Sequence, residues 1–325
     1  MKSALSMFAA TASAIAMTSA AHADVQTPAE APFKVERVIF LSEGQQVVGD
    51  LYIPVGVSAA APGEAAVVTG AWTTIKEHMA GAYAAELAAR GQIALAFDFR
   101  TWGESEGDTR SFENPALKIA DIEAAGQFLA SRPEVASVNG LGICASAGYM
   151  ASAAEASDTF ESIALVAPWL HDAQIVDEVY GGPEGVANLI DIGREAAARE
   201  AETGEPQLIP ATGPEGSDAL MPGAPYYTQE GLGLIPEWEN SFNLASWEGW
   251  LTFDGVRTAP GIEEPVLIVH SDDAAIPDGS RRFYSALPGE KDELWIDGVS
   301  QFDFYARPDA VTAASDAAAD FFTRN

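Results

Sequence analysis

The sequence predicts an α/β domain: a mostly parallel central sheet, helices on both of its faces, and a cap inserted between two of the later strands. Three observations predict it. Short buried-strand patterns alternate with helical patterns through short loops, the signature of a covered parallel sheet. The stretch V-N-G-L-G-I-C-A-S-A-G-Y-M, Val138 to Met150, runs from an apolar strand into a helix through a turn crowded with small residues. Between Pro168 and Ile262 the rhythm stops, and a long passage rich in Gly, Pro and aromatics intervenes before it resumes.

Taken in order, the chain begins with Lys2, a short apolar run from Leu5 to Met17, and the small-x-small site Ala21-His22-Ala23. This predicts a signal peptide over residues 1–23 and export of the mature protein to the periplasm or medium. The run is too short to remain as a membrane span, and no later stretch reaches the necessary length. Residues 24–32, polar and proline-bearing, predict a disordered leader before the main domain, 33–325. Two alternating strands follow, Phe33 to Leu41 and Val47 to Ile53, about the turn Ser42-Glu43-Gly44. A buried strand from Ala65 to Thr69 leads through Gly70-Ala71-Trp72-Thr73-Thr74 into a helix from Lys76 to Arg90, with Gly91 as its cap. The strand from Gln92 to Phe97 ends in the acidic, Gly-bearing loop D-F-R-T-W-G-E-S-E-G, and helical spacing covers Leu117 to Ser131. After the turn at Val138 to Met150 comes a strand from Ser162 to Ala167. The cap, about 170–262, opens with helical patterns from Ile175 to Tyr180 and Val186 to Arg199. It also carries Tyr226, Tyr227, Trp238, Phe242, Trp247 and Trp250, of which half are expected in the cap's own core and half on an apolar pocket. Strands from Pro265 to Val269 and Glu293 to Ile296, with helices from Ser280 to Leu287 and Ala310 to Phe322, complete the sheet.

Bulk properties exclude several classes. Acidic residues outnumber basic ones 48 to 17, a net charge of −31 in 325 residues, so neither a nucleic-acid backbone nor an anionic membrane surface is an expected partner. Histidines are too few and scattered for a zinc site, and no phosphate-cradling glycine loop or internal repeat is present, so no cofactor is implied.

The single cysteine is informative in an exported chain, where thiols usually come in pairs. It falls in the turn where a nucleophile would be held above the sheet, a turn that tolerates only small residues two positions on either side. Two frames fit. Gly142-x-Cys144-x-Ser146 makes Cys144 the nucleophile, and the apolar strand residues Val138, Leu141 and Ile143 favour it. Cys144-x-Ser146-x-Gly148 gives the role to Ser146 and lengthens the strand by two residues.

With these pieces placed, the chain resembles the α/β-hydrolase superfamily, most closely its dienelactone-hydrolase-like branch with G-[IV]-C-A-S-[AG]-G-Y elbows. The resemblance rests on G-A-W-T-T-I-K-E (Gly70 to Glu77), F-D-F-R-T-W-G-E-S-E-G (Phe97 to Gly107) and G-I-C-A-S-A-G-Y-M (Gly142 to Met150). It continues through A-P-W-L-H-D (Ala167 to Asp172), H-S-D-D-A-A-I-P (His270 to Pro277) and Q-F-D-F-Y (Gln301 to Tyr305). It implies an α/β-hydrolase fold, Asp273 as the triad acid with Asp272 as fallback, and backbone N–H groups of Trp72 and Ala145 as the oxyanion hole. It further implies a small-molecule ester or thioester substrate with a mid-sized apolar or aromatic acyl group.

The pattern breaks at the base. Where the superfamily carries its histidine, after the last strand, this chain has Gln301, and an amide takes no proton at neutral pH. Three readings follow. Cys144 at a helix N-terminus forms a thiolate unaided, with Gln301 orienting substrate or water; His171, past the strand ending at Ala167, serves as base; or the pocket has kept binding and lost hydrolysis. His270 and His78 are expected to be structural. A thioester with no water-activating base also suits an acyltransferase.

Overall fold

The computed structural model describes residues 32–325 of the chain. The expected signal peptide, and all of the expected leader but Pro32, lie outside the described residues. In chain order come β1 (Phe33–Ser42), β2 (Gln45–Pro54), β3 (Gly63–Thr69), α1 (Met79–Ala89), β4 (Ile93–Phe97), α2 (Pro115–Ala130), β5 (Val135–Ile143), α3 (Ala145–Ala156) and β6 (Ile163–Val166). An insertion follows, with α4 (Ala173–Val179), α5 (Gly182–Thr203), β7 (Leu208–Pro210), β8 (Thr212–Gly213), β9 (Met221–Pro222), α6 (Pro225–Thr228), β10 (Ser241–Asn243) and α7 (Trp247–Thr252). The main sheet resumes with β11 (Val266–His270), α8 (Pro277–Ala286), β12 (Lys291–Trp295), α9 (Asp303–Ala306) and α10 (Pro308–Arg324).

Eight strands form one sheet in the order β1-β2-β4-β3-β5-β6-β11-β12. The pairs β1·β2 and β2·β4 are antiparallel and the others parallel. Every residue of β4, β6 and β11 is buried, as apolar strands must be when helices cover both faces of a parallel sheet. The chain leaves β3 toward β4 on one side and leaves β5 toward β6 on the other. That reversal opens a crevice between the carboxyl ends of β3 and β5, where open α/β sheets bind ligands.

Helix α1 starts three residues later than its spacing suggests, because Lys76 is drawn into an ion cluster. Its Nζ lies 2.9 Å from Asp98, 2.6 Å from Glu77 and 2.7 Å from Glu104, and its backbone N–H donates to Asp98 Oδ1 at 2.8 Å. The loop after β4, expected at the surface, is therefore tied to the loop after β3. A Cβ at Gly103 would stand 2.3 Å from Asp98 Oδ2, so only glycine lets the backbone come this close.

The insertion seats on the same loop. Trp238 Nε1 donates to the Thr73 carbonyl at 2.7 Å, and His78 Nε2 donates to the Gly233 carbonyl at 2.9 Å. Trp250 stacks on Trp72 with centroids 4.7 Å apart.

Candidate active site

Cys144 stands between the last residue of β5 and the first of α3, with φ 57° and ψ −120°. Such backbone strain costs on the order of 1–3 kcal/mol for a residue with a Cβ and persists only where the surroundings enforce it. A Cβ at Gly142 would lie 2.8 Å from both Ala147 Cα and Ser146 O, so the turn admits only glycine two residues before the cysteine. The frame Gly142-x-Cys144-x-Ser146 is thus the one the backbone adopts. Ser146, the alternative nucleophile, is fully buried in the first turn of α3 and donates its hydroxyl to the Gly70 carbonyl. It does not line the cavity above the elbow.

The backbone N–H groups of Trp72 and Ala145 and the Tyr305 hydroxyl stand around the Cys144 thiol and favour its charged form. Both backbone N–H groups expected as oxyanion donors therefore converge on the Cys144 sulfur. Burial nevertheless pushes the thiol above its ordinary value, and the three donors oppose it only in part. The shift runs against the expectation of a thiolate formed at the helix N-terminus alone.

A cavity opens on Cys144. Its walls are aromatic and aliphatic, with Trp72, Tyr180, Met221, Tyr227, Trp247 and Trp250 among them. The lining holds no Asp, Glu, Lys, Arg or His. Of the six insertion aromatics singled out in the sequence, Tyr227, Trp247 and Trp250 face the cavity, while Tyr226, Trp238 and Phe242 are buried without lining it.

His171 is not brought to the thiol. Its Nδ1 accepts from Trp169 Nε1 at 2.9 Å, and its Nε2 donates to the Trp250 carbonyl at 3.2 Å. Its ring stands edge-on to Trp250 with centroids 4.6 Å apart. Burial lowers its pKa to about 4, so it stays neutral and pins two cavity aromatics in place. This corrects its candidacy as base: both ring nitrogens are committed and water is excluded. His270 is also buried and also lowered to about 4 by desolvation. His78 accepts from the Ile75 N–H through Nδ1 at 3.1 Å and holds the insertion through Nε2.

Gln301 does line the cavity, and its amide is fully engaged. Oε1 accepts from the Ala275 N–H at 3.0 Å, while Nε2 donates to the Ala167 carbonyl and to the Tyr305 hydroxyl, both at 2.9 Å. Asp273 is left outside. It is exposed, and its backbone N–H donates to Ser271 Oγ at 3.1 Å. The fallback Asp272 pairs with Arg281 on the surface. A neutral amide brings no opposite charge to offset the cost of burying a carboxylate; a backbone N–H of the acid loop serves Gln301 instead, and the carboxylates stay in water.

Sequence reasoning missed two features. Tyr305, four residues beyond Gln301, is 4% exposed and supplies the hydroxyl at the thiol. The second is a buried ion pair behind the elbow, Lys118 Nζ to Glu113 Oε2 at 2.8 Å, with both side chains at most 2% exposed. Glu113 Oε1 also accepts from the Tyr149 hydroxyl of α3 at 2.8 Å, and Oε2 lies 3.5 Å from the N–H of Thr73. One carboxylate thus joins the loop that carries Trp72 to the helix that opens with Ala145. The ammonium lies 4.6 Å from the Phe99 ring centroid, a further compensation for its burial.

No protein-family model matches the chain. Among curated proteins it is similar to the uncharacterized protein PA2218 of Pseudomonas aeruginosa strain PAO1, 28% identical over 303 residues that cover 89% of this chain and 80% of that protein. It is also similar to the uncharacterized protein YcjY of Escherichia coli K12, 27% identical over 266 residues covering 76% and 84%. The crystal structure of PA2218 superposes with a TM-score of 0.79 at 24% identity, covering 91% of this chain and 95% of that one. The α/β hydrolase GrgF from Penicillium sp. sh18 superposes with a TM-score of 0.71 at 18% identity, covering 90% and 98%. This is an α/β-hydrolase fold. Further structures sharing it include an acetyl xylan esterase from Paenibacillus sp. R4 and a dienelactone hydrolase from Anabaena variabilis.

Proposed function

We propose that the protein hydrolyses a neutral ester or thioester through Cys144, as a member of the dienelactone-hydrolase-like branch whose base position holds Gln301. Fold alone does not grant an activity. The observation that carries the reading is the position of the strained Cys144, its sulfur facing two converging backbone N–H groups at the floor of an uncharged cavity. In the reaction the sulfur attacks the acyl carbon, and the Trp72 and Ala145 N–H groups pass from sulfur to the developing oxyanion. Each donor of this kind is worth about 3 kcal/mol in the transition state. The cavity lining offers no partner for a charge, so the acyl group it takes is apolar or aromatic and uncharged. Residues 170–262 act as a cap that supplies much of that lining, and residues 1–23 direct export to the periplasm or medium.

A second reading, a binding protein on a hydrolase scaffold, is favoured by the buried, neutral thiol and a cavity lining without histidine. Intact-mass measurement after mixing with p-nitrophenyl butyrate separates the two. A butyryl adduct on wild type, absent from Cys144→Ala and present on Ser146→Ala, is the enzyme's outcome. Tight binding of an ester with neither adduct nor turnover would give the protein to the second reading. An adduct that persists in water but discharges to an added alcohol would make it an acyltransferase.

A further inference from the structure

We propose that Tyr305 is the proton shuttle of a histidine-free acylation site, taking the thiol proton as sulfur attacks and giving its phenolic proton to the leaving oxygen. The inference rests on Cys144 being the nucleophile, as argued above, and concerns how the thiol reacts without a base. The Gln301 amide is oriented twice over, by the Ala275 N–H on Oε1 and the Ala167 carbonyl on Nε2. Its remaining amide proton goes to the Tyr305 oxygen at 2.9 Å. A hydroxyl carries one proton and two lone pairs. With one lone pair taken by Gln301, the other is open to the Cys144 thiol proton and the phenolic proton is left for the cavity. Tyr305, Gln301 and Cys144 open on the same cavity, so an ester carbonyl at the two N–H groups brings its leaving oxygen into that space.

The phenol is held in place by edge-on contacts with Tyr226, Tyr227 and Phe302, at centroid separations of 5.4, 6.3 and 5.7 Å. Burial keeps its proton on, so no resident phenolate serves as base. A shuttle needs none. As the S–C bond forms and the C–O bond breaks, the thiol proton moves to the Tyr305 oxygen and the Tyr305 proton moves to the departing alkoxide. Tyr305 is neutral before and after, and in deacylation the same hydroxyl passes the water proton to the departing sulfur. Gln301 is the positioning residue that fixes which way the hydroxyl points.

The test is single-turnover acylation of wild type and Tyr305→Phe by two esters of one acyl group, methyl butyrate and p-nitrophenyl butyrate. An alkoxide needs a proton to leave, whereas p-nitrophenolate does not. Tyr305→Phe is expected to lose about 100-fold or more on the methyl ester and under about 10-fold on the activated one, the range spanned by general acid-base groups. Equal losses on both esters, or none, would overturn the shuttle. A measurement on wild type alone guards against misfolding of the variant. Acylation by the methyl ester should slow in deuterium oxide, with a curved dependence on deuterium fraction from two protons in flight; a linear dependence overturns the proposal. If wild type acylates with neither ester, the nucleophile reading itself fails. If wild type acylates and Tyr305→Phe keeps the same leaving-group dependence, only the shuttle fails.

Discussion

Replacing His171 by phenylalanine tests whether this histidine belongs to the chemistry or to the packing. Its pKa is lowered from 6.5 to about 4 by burial. Because the folded value lies below the unfolded one, the unfolded chain takes up the proton first as pH falls. The contribution of the neutral ring is fully present above about pH 6.5 and is lost as pH drops toward 4; a gap of about 2.5 units is worth about 3 kcal/mol. At neutral pH the variant removes the hydrogen bonds that His171 makes with the Trp169 indole and the Trp250 carbonyl, at roughly 1–3 kcal/mol each. Wild type should therefore be the more stable protein at pH 7, and the difference should shrink by about 3 kcal/mol between pH 6.5 and pH 4. Urea denaturation of both proteins at pH steps over that interval measures it. His270 and the carboxylates titrate in both and cancel in the comparison. Parallel stability curves, or an NMR titration of His171 near its ordinary 6.5, would refute the argument and return His171 to the list of candidate bases.

Other consequences follow from the same geometry. Ser146→Ala should cost about 1 kcal/mol of stability by depriving the Gly70 carbonyl of its donor. The same variant should keep its rate of Cys144 alkylation by iodoacetamide, and loss of labelling would point back to Ser146. Gly142→Ala drives a Cβ to 2.8 Å from the backbone of Ala147 and should destabilise by about 1–3 kcal/mol in a thermal melt. Lys118→Met leaves Glu113 as an uncompensated buried carboxylate, an expected loss of about 3–5 kcal/mol by urea denaturation; adding Glu113→Gln should recover part of it. Gln301→His returns an ionisable ring to the cavity wall, so deacylation should acquire a limb rising near pH ~6.5 that wild type lacks. A flat profile would show that this loop does not bring a base within reach of the acyl-enzyme.

The sheet and its elbow were legible in the chain because their signals are local. Ile93–Phe97 and Val266–His270 are uninterrupted apolar runs, which identifies strands covered on both faces. Gly142, Cys144 and the small residues after them mark a turn that only small side chains fit. Half of the insertion aromatics facing the cavity also agrees with what their density suggested. The start of α1 was misplaced because the pattern could not show Lys76 buried against Asp98, a partner 22 residues away.

The sequence by itself determined the α/β architecture, the strained turn that holds Cys144 and the absence of a histidine after the last strand. These follow from side-chain size, period and position along one stretch of chain. Only the tertiary structure decided what Gln301 is bonded to. Gln301 meets a backbone N–H from one loop and a carbonyl from another, and hands its last proton to Tyr305. It likewise decided that the thiol is buried, that His171 is spent on two tryptophans, and that Glu113 and Lys118 are paired behind the elbow. Each of these depends on how much water is removed from a group and on which polar atoms distant segments bring to it. Burial and hydrogen-bond partners of this kind are properties of the assembled fold.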